Sequence, residues 1–556
     1  MTTRNLEIFC ENTNKYYQFH VGTTLKEIYD TIKPKLEKEV LAALVNNEIQ
    51  DLSYEVMKPK RINFVDVCSP DGHSAYVRSL TFLLYKAVLK LFPGIKFKVE
   101  QHISNGLYCK LEDKNIILSD DDIVQLKNIM QEFVDQDLRF YHDTIETKRA
   151  VELFEAKGLS EKTELLVTRR HPYTSVYRLE SDIDYFYGVL AYSTGALNNF
   201  KLMHFHQGML LRYPNRSNPK EIMPFIPQEK MFKIHNEFKR WGKILEISNI
   251  GDLNRHTESK SIGEIIKVCE ALHEKKIAQI ADRIHKRKRN TKVILISGPS
   301  SSGKTTFSKR LSIQLKVIGL KPLNLSLDDY FVNREDTPLD ENGEFDFETI
   351  DALDIELFTK DILALLDGEE INVPRFSFET GRRMYTGHKM KMERKNILVI
   401  EGIHGLNPRL TELLPQVALF KIFISAMTSI SIDGHNIISS TDNRLIRRLV
   451  RDNKYRSYEA VDTLQRWESV LSGENKHIFP FQEEADMMFN SALPYELGVL
   501  KFYAEPILKD VFPDDPEYSK AERLLKFFSY FQKINVREIP PTSILREFLG
   551  GSTFRY

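Results

Sequence analysis

The spacing of apolar and polar positions changes several times along the chain, and each change marks a different kind of element. Near the start, Leu6-Glu-Ile-Phe9 and Tyr16-Tyr-Gln-Phe19 are short strand-like runs separated by polar turn residues, which predicts a hairpin. Thr24 stands as an N-cap before the helical pattern of residues 24–29, and residues 43–48 read as a strand running into an Asn46-Asn47 turn. This order is that of a small β-grasp unit. Residues 75–89 and 120–133 have the pattern of helices, the second capped by Ser119. Residues 176–202 hold strands and a Ser193-Thr-Gly195 turn, and Asn215-Arg-Ser-Asn-Pro-Lys220 has the chemistry of a loop. Residues 226–290 are mostly helical, with an amphipathic stretch over 262–284. From residue 291 short apolar runs at 293–297, 323–327, 397–400 and 419–424 alternate with helices. That alternation predicts a doubly wound, mostly parallel sheet with ligands at the C-terminal ends of its strands.

The chain therefore divides into a β-grasp unit (1–65), an α+β unit (66–225), a helical connector (226–290), a doubly wound α/β unit (291–510) and a C-terminal tail packed on it (511–556). The fold class is multidomain, α+β followed by α/β. A length of 556 residues accommodates about three or four such domains.

Charge narrows the partners. Lys plus Arg and Asp plus Glu both number 78, so no global field draws the chain to nucleic acid or membrane, and any such binding requires a local patch. The basic run Arg283-Ile-His-Lys-Arg-Lys-Arg-Asn290 reads as a solvated helix end, with a nucleic-acid contact as the alternative. Four scattered cysteines without C-x-x-C spacing argue against a disulfide framework or zinc knuckle and fit a reducing compartment. No signal-peptide core or long uncharged apolar run is present, so a cytoplasmic chain with no membrane partner is expected.

The chemistry concentrates after residue 292. Gly298-Pro-Ser-Ser-Ser-Gly303-Lys304-Thr305-Thr306 fits G-x-x-x-x-G-K-[ST], preceded by an apolar strand and followed by an amphipathic helix. Glycines let backbone N–H groups close on phosphate oxygens, and the helix N-terminus adds positive potential. Gly298, Pro299, Ser300, Ser301, Ser302, Gly303, Lys304, Thr305 and Thr306 are thus candidate nucleotide contacts, with Lys304 reaching the β- and γ-phosphates and Thr305 on Mg²⁺. Ser326-Leu-Asp328-Asp-Tyr-Phe331 ends a strand, where Asp328 can take a hydroxyl proton. Ile397-Leu-Val-Ile-Glu401 places an acid at another strand end, suited to a water-mediated Mg²⁺ contact. Arg444, Arg448 and Arg451 share a helix face and can clamp phosphoryl oxygens when a lid closes.

These residues together make residues 290–510 resemble the uridine kinase/phosphoribulokinase family. The resemblance implies ATP and Mg²⁺ as cofactors, Asp328 as general base, and Tyr330 and Phe331 near a nucleoside. It places Glu348 of Phe345-Asp-Phe-Glu348-Thr-Ile-Asp351 at the family's sugar-binding acid, with Asp346 as a nearby substitute. Glu401-Gly-Ile403 matches the "E-G-I" motif, and phosphate-binding arginines fall at Arg448, Arg451 and Arg456. The base-reading loop departs from the pattern: Phe376, Ser377 and Gly381 replace Tyr, Asp and His. Phe376 and Arg383 of this loop stay candidates for substrate contact. A site that loses hydrogen-bonding groups loses discrimination, so the acceptor is less defined than the donor.

Residues 1–225 resemble the N-terminal half of threonyl-tRNA synthetases, a TGS-like β-grasp domain followed by an editing-type domain. The matching phrases include Ile103-Ser-Asn-Gly-Leu-Tyr108, Ala150-Val-Glu-Leu-Phe154 and Ser193-Thr-Gly-Ala-Leu197. The family's four His and Cys groups are replaced by Ser79, Leu83, Phe186 and Leu190, so a metal or hydrolytic site is not expected. Arg169-Arg-His171-Pro-Tyr173 stays a candidate ligand-pocket lining, while His73 and His171 read as structural or solvated. The expected activity is ATP-dependent phosphorylation of a nucleoside or related small molecule by a homo-oligomer, with RNA or an effector at the front half. The alternatives are an RNA- or ribosome-associated ATPase switch and a kinase of a sugar phosphate or other metabolite.

Overall fold

A computed structural model describes residues 5–112, 116–340 and 343–555. Residues 1–4, part of the segment on which the leader expectation rests, lie outside it. The expected N-terminal hairpin pairs Asn5–Cys10 with Lys15–His20, and it forms one edge of a five-stranded sheet with Lys60–Val65, Ala42–Val45 and Glu48–Gln50. Thr24 caps the helix Leu25–Ile32 in a box with Glu27. Asn46 and Asn47 turn the Ala42–Val45 hairpin with φ of 49° and 61°, the left-handed conformation that Asn tolerates.

In the second unit a four-stranded antiparallel sheet runs Lys201–Phe205, Gly208–Arg212, Gly106–Leu111, Phe97–Ile103 in space. Helices Pro70–Leu91 and Asp120–Asp135 share its apolar core. Ser119 caps the second helix as the sequence predicts. A smaller sheet joins Phe140–Glu146, Tyr173–Leu179 and Asp182–Asp184.

The third sheet is wholly parallel, in the order Lys321–Ser326, Asn396–Glu401, Val293–Ser297, Leu419–Ser425, Met487–Asn490. Val293–Ser297 is buried throughout, as a central strand covered on both faces must be, and its continuous apolar run follows from that. Helix Ile262–Lys286 lays Ile277, Ile280 and Ile284 against one face beside Phe307 and Leu311 of helix Lys304–Val317. The basic run behind Ile284 is mostly exposed, with Arg287 paired to Asp486. The fifth strand, Met487–Asn490, is not signalled by the apolar pattern, because four residues carry too little periodicity.

The units are joined more closely than their sequence patterns suggest. One apolar core takes in Phe154 and Leu165 of the front unit, Ile250 and Ile266 of the connector, Leu445 and Trp467 of the α/β unit, and Phe528 and Leu549 of the tail. At the seam Lys162 is buried between Asp184 (2.7 Å) and Asp433 (2.9 Å), and His435 meets Asp184 at 2.6 Å. Among the described residues no helix is long and apolar enough to cross a membrane.

Candidate active site

Strand Val293–Ser297 delivers the chain into the glycine loop at the C-terminal edge of the parallel sheet. A β-carbon on Gly298 would lie 2.4 Å from the Ile424 carbonyl oxygen, so only glycine fits there. Gly303 has φ of +83° at the N-cap of helix Lys304–Val317. Lys304 Nζ folds back to donate to the carbonyls of Gly298 (2.9 Å) and Pro299 (3.1 Å). The hydroxyls of Ser301 and Ser302 are buried without hydrogen-bond partners. The loop is ringed by carboxylates. The amide of Ser300 donates to Glu474 Oε1 (2.8 Å), Thr305 Oγ1 donates to Glu401 Oε1 (3.1 Å), and both the amide and hydroxyl of Thr306 donate to Glu547 Oε2 (3.0 and 2.6 Å).

Asp328 sits in a single 3₁₀ turn, Leu327–Tyr330, directly beyond strand Lys321–Ser326. Burial raises its pKa above the ordinary carboxylate value, while Lys304, Arg456 and Arg451 pull the other way. Burial pushes Glu401 up to about 7, with the Asp328 charge adding to the effect and Lys304 opposing it. Glu348 also rises to about 7 through burial and then the Glu474 charge, against Arg448 and Lys304. Lys304, Asp328, Glu348 and Glu401 therefore feel one another's charges at one strand edge. This clustering of shifted carboxylates around a lysine is typical of sites that manage protons and phosphoryl charge.

Helix Ser440–Arg456 carries the arginines, and they divide by role. Arg444 is buried against Glu474 (2.5 Å) and bonds the Ser300 carbonyl (3.2 Å). Arg447, fully buried, ties the loop to the neighbouring strand through Ser301 O (3.3 Å), Ser491 Oγ (3.0 Å) and Glu496 (2.7 Å). Arg448 bonds Ser300 Oγ (3.1 Å) and pairs with Asp452 (3.2 Å). Arg451 and Arg456 face the same Asp452 carboxylate at 2.9 and 3.6 Å. Three guanidinium groups thus share one acid, leaving positive charge beside Asp328 and Glu348.

On the acceptor side, Phe331 and Phe376 pack with ring centroids 5.6 Å apart, and Phe378 extends the group from Phe376 at 5.2 Å. The hairpin of Glu370–Ser377 and Arg382–Lys391 carries Phe376 on its first strand and Phe378 in its connection, while Phe331 follows the turn that holds Asp328. Three predicted substrate residues point elsewhere. Tyr330 is fully buried and its hydroxyl bonds Asp361 (3.1 Å), because its ring fills the core against Phe358. Asp346 accepts from the amides of Glu348 (3.0 Å) and Thr349 (3.2 Å), a turn-capping role. Arg383 is held by Asp354 at 2.8 Å. Glu348, by contrast, faces the site.

Sequence reasoning missed Glu474, Glu547 and His404. His404 follows the Glu401-Gly-Ile403 motif, and burial lowers it to about 3 with neither ring nitrogen hydrogen-bonded. Its position after a recognised motif was a usable signal. Glu547 lies in the four-residue helix Arg546–Leu549 of the tail, and nothing local marks it.

The donor set fits a magnesium nucleotide. Thr305 and Glu401 lie side by side, and Mg²⁺ takes one or two protein ligands and completes its shell from phosphates and water. Among the described residues no group of three or more His, Cys, Asp or Glu is arranged to hold a metal by itself.

Comparison with known proteins divides the chain in two. The N-terminal region matches threonine–tRNA ligases, at 28% identity over 187 residues for that of Acetivibrio thermocellus (34% of this chain, 29% of the ligase). For that of Parabacteroides distasonis the figures are 29% over 153 residues (28% of this chain, 24% of the ligase). The chain thus spans less than a third of the length of these curated relatives. Among solved structures, a putative fructose transport system kinase from Silicibacter sp. TM1040 aligns over 38% of this chain and 98% of its own, at 15% identity and a TM-score of 0.27. A possible uridine kinase from Bacillus stearothermophilus aligns over 36% and 89%, at 18% identity and a TM-score of 0.25. The segment that holds the glycine loop, Asp328, Glu348, Glu401 and the arginine helix, residues 293–495, matches the Phosphoribulokinase / Uridine kinase family.

Proposed function

We propose that this protein transfers the γ-phosphate of ATP to a hydroxyl of a nucleoside or related small molecule, with Asp328 as the base. The observation that carries this reading is the position of Asp328, one turn beyond a strand tip and within the fields of Lys304, Arg451 and Arg456. A nucleotide-driven switch needs no such acid; a hydroxyl acceptor does. Lys304 and the helix N-terminus hold the donor phosphates, and Thr305 and Glu401 hold Mg²⁺. When bound, Mg²⁺ neutralises charge on the phosphoryl oxygens. Asp328 takes the proton of the acceptor hydroxyl, and Arg448, Arg451 and Arg456 stabilise charge on the transferred group. Glu348 is placed to orient a sugar hydroxyl. Phe378, exposed at the end of a row of rings whose Phe331 and Phe376 are buried, offers a ring face to a base, a weakly discriminating surface that also admits a sugar phosphate or another metabolite. The front half acts by binding, since Ser79, Leu83, Phe186 and Leu190 supply no hydrolytic groups.

The test is ADP release from ATP and Mg²⁺ with a panel of nucleosides and sugar phosphates, with and without acceptor. Acceptor-dependent release is expected, and Asp328→Asn should abolish transfer while ATP still binds. Acceptor-independent hydrolysis stimulated by RNA would overturn the reading.

A further inference from the structure

Far along the chain from the phosphate loop, the seam between the front unit and the C-terminal helix Tyr518–Phe528 gathers cations that lack acid partners. Arg78, on helix Pro70–Leu91, lies flat on the backbone at Gly188, where a β-carbon would come within 2.6 Å of its guanidinium carbon. Its Nε donates to the Val189 carbonyl (3.1 Å). Next to it Tyr187 accepts from Arg523 (3.0 Å), which is itself held by Asp442 through two bonds of 2.6 and 2.8 Å. The Tyr187 and Tyr530 rings meet at 6.4 Å, and Arg169 lies over Tyr530 at 4.5 Å. Arg169 Nε and the Tyr530 hydroxyl are buried with no hydrogen-bond partner. Lys526, exposed near the end of that helix and four residues before Tyr530, is the third cation, and it feels the charges of Arg169 and Arg78. Opposing charges are weak or spent: Glu48 and Glu522 act on Lys526 only as minor influences, Asp71 acts similarly on Arg78, and Asp442 is committed to Arg523.

Cations brought together without carboxylates destabilise a fold unless something neutralises them. A solvated basic face does not account for a guanidinium nitrogen buried and unbonded, nor for the glycine that admits Arg78. We propose that Arg78, Arg169 and Lys526 form a binding site for a compact, phosphate-bearing small molecule, separate from the kinase centre. Two guanidinium forks and an ammonium match a dianion or a polyanion, because guanidinium binds phosphate oxygens in pairs. Arg78 itself stands next to Ser79 in sequence and packs on Gly188, within the stretch where the synthetase-like module carries Ser79, Phe186 and Leu190 in place of polar groups. The module has lost the means for hydrolysis and gained the means to hold an anion.

The probe is inorganic pyrophosphate, titrated calorimetrically into the full-length protein carrying Lys304→Ala to weaken the phosphate loop. One equivalent is expected to bind, and adding Arg169→Gln with Lys526→Gln should weaken it at least tenfold, about the value of one charge-assisted contact. Without pyrophosphate the Arg169→Gln, Lys526→Gln protein should melt at the same temperature or higher, since repulsion is removed, and it should lose the rise that pyrophosphate gives. Should that protein fail to fold, Lys526→Gln alone, on an exposed position, is expected to weaken binding about threefold or more. Unchanged affinity in these variants would overturn the proposal. So would loss of all binding with Lys304→Ala, or an equal effect from potassium chloride at the same ionic strength.

Discussion

Glu547 should compete with the nucleotide. Its carboxylate accepts from the Thr306 amide (3.0 Å) and hydroxyl (2.6 Å), at the helix N-terminus where the proposed reaction would seat phosphate oxygens. It is held there by a fixed frame. Ile544 lies against Gly303, Phe548 lies 5.1 Å beneath the Arg447 guanidinium, and Lys454 bonds the Leu549 carbonyl at 2.6 Å. A phosphate oxygen seated on the Thr306 amide must displace the carboxylate. A hydrogen bond to a charged group contributes about 1.5–3 kcal/mol, and a charge at a helix end about 0.3–1 kcal/mol. For a half-buried side chain the low end applies, about 2 kcal/mol in all. Glu547→Ala should therefore tighten ATP·Mg²⁺ binding about thirtyfold and lower the stability of the nucleotide-free protein by about 2 kcal/mol. Glu547→Gln, which keeps an acceptor without the charge, should fall between. Calorimetric Kd values and urea melts of the three proteins give both quantities. If Glu547→Ala folds but binds ATP equally or more weakly, the carboxylate does not compete, and the reasoning fails.

Glu348→Gln should stabilise the protein at pH 8 but not at pH 4. Its folded pKa of about 7 exceeds the ordinary 4.5, so the unfolded chain loses its proton first and stability falls as pH rises between those values, by up to about 3 kcal/mol. Urea melts at the two pH values check this. Mg²⁺ should displace a proton from Glu401, whose pKa is about 7, when it binds with ATP near pH 7. Calorimetry in buffers of different ionisation enthalpy reads the release, which should vanish by pH 9. Arg447→Met should cost about 3–5 kcal/mol by leaving Glu496 buried and unpaired, measured by denaturant unfolding. Lys162→Met should cost a similar amount by leaving Asp433 buried without its cation and Asp184 with His435 alone at the seam, and limited proteolysis should then separate the two halves of the chain.

The elements legible in the sequence are those whose chemistry is local. The glycine loop, Asp328 and Glu401 each sit where an apolar strand run stops, so strand periodicity and one residue type were enough to place them. The arginine helix was legible as a face but not as a set of roles. Arg444, read with Arg448 and Arg451, is buried against Glu474, and the unread Arg447 is a fully buried tie, because the helix packs against the loop on a wider arc than a three-residue stripe. Tyr330 shows the opposite failure. A motif position near the substrate turned into the core, where the alternation of a short 3₁₀ turn put its ring against Phe358. What the sequence hid most completely is what depends on contacts across the chain. Glu547 reaches Thr306 from 241 residues away, and Lys162 meets Asp433 across 271. Neither residue differs in local pattern from an ordinary surface charge. Only the shared core that joins Phe154, Leu445 and Leu549 makes such meetings necessary. The tail that completes that core is also the segment that brings the Glu547 carboxylate to the Thr306 amide, so one piece of chain both packs the core and reaches the proposed site.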